Sequence, residues 1–557
     1  MPRPLNPYLL ALLSALLLNL CFPLGGPVPG YRVFLAFFGA VPLLTALLGR
    51  PGDSPRYLRE SLLAGWLFGV VWYSINCYWI YQTMYLYGGL PAPLSALILL
   101  LFGILMGMYY ALFGVMVGLV RRHAGLTAAL LAVPFFWVAI DLLGVVAFRV
   151  PWDQLGYSQV GNGLLTRLAP WTGVYGITFL LLMVNALIAA GTLLSVPRRR
   201  MLLGGGVLLA VLLQAGALWQ PAPAPTTERA VLLQENLDVK GDNSWSGSVW
   251  DPAAGRYRDE WDVITASFVR ASAADCTPYI AGMPETGARL VAGDCPAART
   301  SLVVWPEAPS SFSERDARFQ ALMRTLTHTT GAAAIVGNAA IDTRAGHVDL
   351  YNAASVYGAD GALVGRYAKV HLVPWGEYVP FQKLFSFAHG LTRNAGRFTH
   401  GWSRPVYRLE GSRYGIFICY ESIFADEIRQ FARNGAEVLV NISDDGWYGD
   451  TSAPWQHLNM ARMRAIENRR WLLRDTNTGV TAAIDPYGRI TQSAPRHVLT
   501  ALAVSYGVRD DLTFYTRYGD VFALACGILS LAMLARVARK AIRRTSRTRR
   551  PAQPTAV

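Results

Sequence analysis

Tyr414-Gly415-Ile416-Phe417-Ile418-Cys419-Tyr420-Glu421 is an apolar run that ends on a thiol, with a carboxylate two residues further on. β-Branched and aromatic residues in such a run read as a buried strand, and Cys419 stands at its carboxyl end. Two other stretches have the same form. Val303-Val304-Trp305-Pro306-Glu307 ends a strand-like run on a carboxylate, and Arg366-Tyr367-Ala368-Lys369-Val370-His371-Leu372-Val373-Pro374 ends one on an amine. In layered α/β folds, sites gather at the carboxyl ends of strands.

Further strand-like runs lie at Ala230–Gln234, Ala333–Val336, Ala354–Tyr357 and Glu437–Ile442. Helical stretches fall between them, at Asp316–Thr327, Ile423–Asn434 and Trp455–Glu467. The alternation predicts a layered α/β domain over residues 221–515. Residues 271–299 read as an insertion: they are rich in Ala and Gly, lack a strand pattern and hold Cys276 and Cys295. In an oxidising compartment these two cysteines are expected to pair.

The remaining chain is of another kind. Hydrophobic residues make up 53% of the 557 residues and charged ones 15%, against about a quarter charged in soluble domains. Apolar segments at 7–24, 31–49, 61–84, 93–120, 126–147, 172–195, 201–219 and 520–537 are each near or above the ~20 residues that span a bilayer as a helix. Helix is the state that satisfies a lipid-exposed backbone. The expected architecture is therefore a polytopic membrane domain with helices 1–7 over 1–220, the α/β domain over 221–515, an eighth transmembrane helix over 516–539, and a basic tail over 540–557.

The net charge of +14 raises the question of nucleic acid. Arg50, Arg56, Arg59, Arg121, Arg122 and Arg198 to Arg200 instead sit at the ends of apolar runs, alternating with loops poor in Lys and Arg. That pattern follows the positive-inside rule, puts both termini in the cytoplasm and puts the α/β domain outside. No nucleic-acid partner is expected. Cys21, Cys77 and Cys526 lie within apolar runs, and no cysteine or histidine spacing forms a metal site. Asp141 is a carboxylate inside an apolar span, so a functional or pairing role is the default, with Arg149 a candidate partner. Gly65/Gly69, Gly103/Gly107 and Gly114/Gly118 have the spacing that lets helices approach closely. Trp79, Tyr81, Tyr85 and Tyr87 read as an interfacial aromatic belt.

Taken singly, Cys419 reads as a packing residue, Glu307 as a helix start and Lys369 as a solvated strand-end charge. Together they have complementary chemistry. A thiol needs a base to become a nucleophile. A carboxylate can serve if desolvation raises its pKa. An ammonium stabilises the oxyanion formed when a carbonyl is attacked.

These three segments resemble the Glu-Lys-Cys triad of the nitrilase, or carbon–nitrogen hydrolase, superfamily. Seven apolar spans before such a domain and one after it resemble more narrowly the apolipoprotein N-acyltransferase family. Further stretches carry the resemblance: Pro151-Trp152, Leu155-Gly156-Tyr157-Ser158-Gln159, Gly376-Glu377-Tyr378-Val379-Pro380, Asn441-Ile442-Ser443-Asp444-Asp445-Gly446-Trp447-Tyr448-Gly449, Pro454-Trp455-Gln456-His457 and Asn477-Thr478-Gly479-Val480-Thr481. Glu235 stands where the resemblance leads one to expect Gly, and Gly446 and Tyr448 also vary.

The resemblance implies a four-layer αββα sandwich for the outer domain and an enzyme of the multi-pass inner membrane, with that domain periplasmic. It implies an acyl transfer from a membrane phospholipid to the α-amine of the diacylglyceryl-cysteine that begins an apolipoprotein. Cys419 would be the nucleophile, Glu307 the proton acceptor and Lys369 the oxyanion donor. Glu377, Tyr420 and Glu421 would support them, and Trp447, Phe385 and Phe387 would form a lid over acyl chains. No cofactor is implied, and the chain is expected to act as a monomer. A membrane-anchored amidase of nitrilase type, with water as acceptor, is the rival reading of the triad.

Overall fold

The computed structural model describes residues 6–548 except 153, 195–197, 240–244, 252–253, 274–278, 282–288, 292–299, 308–311, 345–346 and 379–397. Cys276, Cys295, Phe385 and Phe387 lie outside the described residues, and so does the end of the basic tail.

Each of the expected apolar segments contains a helix. They are α1 (Pro7–Asn19), α2 (Gly30–Leu48), the bent pair α3 (Tyr57–Asn76) and α4 (Trp79–Tyr87), α5 (Ala92–Ala124), α6 (Leu126–Phe148), α7 (Val174–Leu193), α8 (Arg199–Leu218) and, after the α/β domain, α13 (Val521–Arg543). Among the described residues, 6 are long and apolar enough to cross a membrane, or 7 if the pair bent by 50° is one span. The expected count of eight is not reached, because α1 has 13 residues. At 1.5 Å per residue that is ~20 Å, against the ~30 Å of a hydrocarbon core. The chain after it, Pro23-Leu24-Gly25-Gly26-Pro27, cannot continue a helix.

The glycine spacing does hold two helices together. A Cβ on Gly65 would lie 2.1 Å from the Tyr110 carbonyl oxygen, and one on Gly114 would lie 2.2 Å from that of Ser61. Helices α3 and α5 therefore meet backbone to backbone.

The α/β domain is two stacked sheets. One is 6-stranded, in the order β12-β1-β2-β3-β4-β5, from β1 (Glu228–Gln234), β2 (Leu302–Trp305), β3 (Ala333–Arg344), β4 (His347–Tyr357), β5 (Leu363–Ala368) and β12 (Thr500–Tyr506). The other is 8-stranded. It runs β6 (Val406–Leu409), β7 (Ser412–Ile418), β8 (Val438–Ser443), β9 (Trp471–Thr476), β10 (Ala482–Ile484), β11 (Ile490–Ser493), and then the short strands Tyr279–Ala281 and Arg289–Val291. Those last two fall in the stretch read as strandless. They pair with each other and, through Ile280 and Ser493, extend the sheet edge.

Period-two alternation sorts the side chains into layers. Val231, Leu233, Val303, Trp305, Ala334 and Val336 face outward onto α9 (Glu260–Ser272) and α10 (Ala317–Thr330). Ala230, Leu232, Leu302, Val304 and Ile335 join the core shared with the second sheet. The central parallel strands β7, β8 and β9 are buried on both faces; β7 and β8 are largely apolar, while β9 ends on the buried polar run Arg474-Asp475-Thr476. Helices α11 (Ala425–Arg433) and α12 (Ala453–Asn468) cover their outer side, completing an αββα sandwich.

One end of the membrane helices is stapled to this sandwich. Gln456 on α12 accepts from the Trp152 indole at 2.9 Å and donates to the Asn76 carbonyl oxygen at 3.0 Å. That bond satisfies a free carbonyl where α3 ends, and it coincides with the break before α4. Glu467 accepts from the backbone N–H of Val174, the first residue of α7, at 3.1 Å, placing a carboxylate at a helix N-terminus. Arg464 donates to the Tyr157 hydroxyl at 2.8 Å. Arg50 pairs with Glu60 at 2.6 Å near the start of α3, and Arg121 bonds the Leu48 carbonyl at 3.2 Å near the end of α5. Basic side chains and α/β-domain contacts therefore occupy opposite ends of α3.

The α3–α5 contact predicts that Gly65→Ala, whose Cβ meets backbone oxygen, lowers the melting temperature of the detergent-solubilised protein by an overpacking cost of about 1–3 kcal/mol. Gly204→Ala, with nothing within 4 Å of its Cβ, is the matched control and leaves the melting temperature unchanged or slightly raised.

Candidate active site

Cys419 is the first residue after β7 and carries φ +50°. For a residue with a Cβ that conformation costs about 1–3 kcal/mol and needs support. Two side chains supply it. One oxygen of Glu421 accepts from the Ile418 N–H at 2.7 Å. Its other oxygen accepts from the Val370 and His371 N–H groups at 2.7 and 3.0 Å and from the Tyr367 hydroxyl at 2.7 Å. Glu421 thus ties the cysteine turn to the segment that carries Lys369. His457 Nε2 donates to the Cys419 carbonyl at 3.0 Å. The ring is held from behind by Asp445 at 2.9 Å, which in turn accepts from Arg474 at 2.6 Å and from the Ser443 hydroxyl at 2.8 Å.

Glu307 follows β2 by two residues, and Lys369 follows β5 directly. The Lys369 ammonium is 1% exposed and donates to Glu307 Oε1 at 3.1 Å and to Glu377 Oε1 at 3.0 Å. Asn352, on β4, donates through Nδ2 to the same two oxygens, at 2.6 Å each. The second oxygen of Glu307 accepts from the Asp444 N–H at 2.9 Å, and that of Glu377 from the Val373 N–H at 2.7 Å. Every carboxylate oxygen in the cluster therefore has at least one donor, which buried charge requires.

The sequence-predicted residues Glu307, Lys369, Cys419, Glu377 and Glu421 come together here. Glu377 bonds Lys369, while the task of holding the cysteine turn falls to Glu421. Tyr420 is buried and packs edge-on against Phe424. Trp447 is 43% exposed and lies against Tyr87 of α4, with ring centroids 6.0 Å apart, while Thr83 donates to its carbonyl at 3.1 Å. Asp445 and His457 lie in stretches quoted for the resemblance but were given no role there, and Asn352 and Arg474 were not singled out in the sequence. The buried Glu235, anomalous in the sequence, has the buried Asp475 as a neighbouring carboxyl. Burial pushes both well above the ordinary carboxylate range.

The protonation states differ from one expectation. Burial pushes the Glu307 carboxyl up, but the Lys369 cation, the Asn352 amide and the Asp444 N–H outweigh it and hold Glu307 below its ordinary value. Desolvation therefore does not make it a carboxylic acid. Burial works against the Lys369 ammonium, yet Glu307 and Glu377 hold its pKa well above the usual lysine range. Burial and then the Glu307 charge push the Cys419 thiol well up, against Lys369. Asp444 is raised to about 8 by burial and by Glu307. At neutral pH the site holds a carboxylate, an ammonium and a neutral thiol, the starting states for a base-assisted nucleophile.

Residues 259–506 match the Carbon-nitrogen hydrolase family, and residues 14–187 match the family described as Apolipoprotein N-acyltransferase N-terminal domain. A protein of Geobacter metallireducens named apolipoprotein N-acyltransferase is 31% identical over 545 residues, covering 96% of each chain. A protein of that name from Methylococcus capsulatus is 32% identical over 94% of this chain and 96% of its own. Another, from Ralstonia nicotianae, is 31% identical over 88% of both.

Because the Glu307 charge adds to burial in holding the thiol protonated, Glu307→Gln should lower the Cys419 pKa. Alkylation of Cys419 by a small reagent at pH 8, followed by peptide mass mapping, is expected to quicken several-fold in that variant. An unchanged or slower rate would contradict the charge arrangement.

Proposed function

We infer the reaction of this chain from the premise that it belongs to the apolipoprotein N-acyltransferase family. It is an acyltransferase of the membrane, and its acceptor is a lipoprotein. We propose that the donor is a phospholipid and the acceptor nucleophile is the α-amine of an N-terminal diacylglyceryl-cysteine. The observation that carries this is the buried Glu307–Lys369–Glu377 cluster facing a strained Cys419, in a sandwich stapled to membrane helices.

In the first half-reaction Glu307 takes the Cys419 proton as the sulfur attacks an ester carbonyl of the phospholipid. Lys369 faces the oxyanion, whose charge the neutral thiol did not carry, so its attraction strengthens towards the transition state. The ester C–O bond breaks, the proton passes from Glu307 to the leaving oxygen, and a lysophospholipid departs. A thioester remains on Cys419. In the second half-reaction the lipoprotein amine attacks that thioester, Glu307 accepts its proton, and the amide product leaves with the thiol restored. Two half-reactions through one covalent intermediate make the kinetics ping-pong. Glu377 and Asn352 orient Lys369 and Glu307, and Glu421 with His457 holds the cysteine turn.

We place both termini in the cytoplasm and the sandwich in the periplasm. The basic ends of α3 and α5 favour the cytoplasmic face, and the opposite end of α3 meets the sandwich. This placement makes α1, short as it is, the first of eight spans, with the bilayer thinned locally around it. A catalytic face on the outer bilayer surface receives both lipid-anchored substrates laterally and limits the water that competes for the thioester.

Purified protein incubated with phospholipid alone is expected to gain one acyl group by intact mass, removable by hydroxylamine. Cys419→Ala should gain none. Glu307→Gln should form the adduct at least ~100-fold more slowly, the scale of a general base. A diacylglyceryl-cysteine peptide should discharge the adduct with N-acylation; discharge by water alone would make the enzyme a hydrolase instead. Since Glu307 is held below the ordinary carboxylate range, adduct formation should persist at pH 5 and fail only as pH drops through that lowered value.

A further inference from the structure

Glu235, the residue at odds with the family resemblance, leads to a second buried acidic group. It follows β1 directly and is 2% exposed. Asp475, next to last on β9, is 0% exposed. Its neighbour Arg474 turns outward to Asp445 and His457. Strand alternation therefore directs Asp475 the other way, toward the first sheet, where β1 packs against β9. The Glu235 charge bears on Asp475, as does the Leu233 N–H of β1. All four oxygens of the two carboxyls are buried with no hydrogen-bond partner among the described residues.

Among the described residues no cation compensates them. Asp444, at the end of β8, is the charged neighbour of Glu235. Arg474 is committed to Asp445, Arg496 bonds the carbonyls of Thr478 and Gly449, and Glu307 serves Lys369. Strands β2 and β12 carry no charged residue. Glu260, Asp262 and Arg270 of α9 bear on neither carboxyl. No three acidic, His or Cys groups among the described residues are placed to hold a metal ion. Two buried carboxylates without donors or counter-charge are prohibitively costly. A proton on one removes a charge and supplies the donor that the other lacks.

The pair flanks the contact that carries the catalytic base. Asn477, two residues after Asp475, holds Leu237, two residues after Glu235. Its side chain accepts from the Leu237 N–H at 2.7 Å and donates to the Leu237 carbonyl at 2.9 Å. The Asn477 carbonyl accepts from the Asn236 N–H at 3.1 Å. The same Asn477 amide donates to the Asp444 carboxyl at 3.2 Å, and the Asp444 N–H donates to Glu307 at 2.9 Å. Closure of β1 on β9 therefore sets the place of Asp444 and, through it, of Glu307.

We propose that Glu235 and Asp475 share one proton, an acid donating to a carboxylate, and that this bond makes them positioning residues for Glu307. Their ionisation at alkaline pH forces the ends of β1 and β9 apart and withdraws the Asp444 N–H from Glu307. The positioning role rests on the acyl-transfer reading above; the shared proton does not. Burial raises both carboxyls well above the ordinary range. The stability they give is therefore present below the ordinary carboxyl pKa and lost as pH rises through the raised one.

Thermal unfolding of the full chain in detergent, followed from pH 5 to pH 9, tests the shared proton in the wild type, Glu235→Gln and Asp475→Asn. Each amide is an isostere of the acid and keeps a donor at every pH. Wild-type stability should fall with rising pH relative to either variant, by up to about tenfold in the folding equilibrium per pH unit for one proton. Asp444, raised to about 8, titrates in the same window in all three proteins, so the difference between them is what is read. The rate of Cys419 adduct formation with phospholipid, by intact mass, should fall at alkaline pH in the wild type. In the variants that fall should come about one pH unit higher or more, a shift that a purely structural pair would not produce. Parallel stability curves in the three proteins overturn the shared proton, and so does failure of both isosteres to fold. Divergent stability curves with an unmoved rate profile overturn the positioning role. Absence of any adduct on the wild type would instead overturn the covalent mechanism, and the stability curves would still decide the shared proton.

Discussion

A lysine ammonium that is 1% exposed dictates the arrangement of the site. Moving such a charge out of water costs several kcal/mol unless fixed charges and hydrogen bonds replace the solvent. Lys369 meets that demand with two carboxylates, Glu307 and Glu377, and these need donors of their own. Asn352 bridges both, and the N–H groups of Val373 and Asp444 serve the outer oxygens. The cluster therefore draws on the ends of β2, β5 and β8 and on the middle of β4. Sheet pairing brings these segments together, so the first sheet must be formed before the ammonium can be buried without loss.

The cysteine turn is constrained separately. Its positive φ is maintained by Glu421, which bonds backbone on both sides of the cleft, and by His457 beneath. His457 belongs to α12, and so does Gln456, whose amide reaches Trp152 and Asn76 in the membrane domain. Neighbouring residues of one helix thus hold the Cys419 peptide and the membrane helices. Glu467, at the other end of α12, repeats the attachment at the start of α7.

Much of this was legible in the sequence, for physical reasons that differ by residue. Glu307, Lys369 and Cys419 each end an apolar run, where burial of the strand makes the terminal polar residue conspicuous. Asn352 was invisible because β4 begins with His347-Val348-Asp349-Leu350-Tyr351. That half of the strand pairs with the polar half of β3, where the period-two signal fades. Asp445, His457 and Arg474 sit on three different elements, and the pairing of β8 with β9 brings Asp445 beneath Arg474. Helix α1 was read as longer than it is, since apolarity continues through Cys21-Phe22 while Pro23 and the glycines end the helix. The break between α3 and α4 carries no proline or glycine. Gln456, a residue of the other domain, meets the chain there.

The charge pattern of the site also bears on why its thiol does not react prematurely. Two carboxylates against one ammonium leave the cleft net negative before Cys419 ionises, and burial adds to the cost of a thiolate. In the proposed step an electron-poor carbonyl would change that balance, because the proton would move to Glu307 while the new negative charge forms on an oxygen directed at Lys369 rather than on sulfur. The ammonium then faces one fewer carboxylate charge and one new oxyanion, so the number of anions it serves is unchanged across the step. A free thiolate never has to be stabilised on its own. Water and amine would both need Glu307 vacant to take their proton, so the two acceptors differ in their route to the thioester and not in the base they use. On the proposed reading an amine carried on a lipid anchor approaches along the surface to which the sandwich is fixed, whereas water must enter from the bulk a cleft in which Cys419 is 5% exposed.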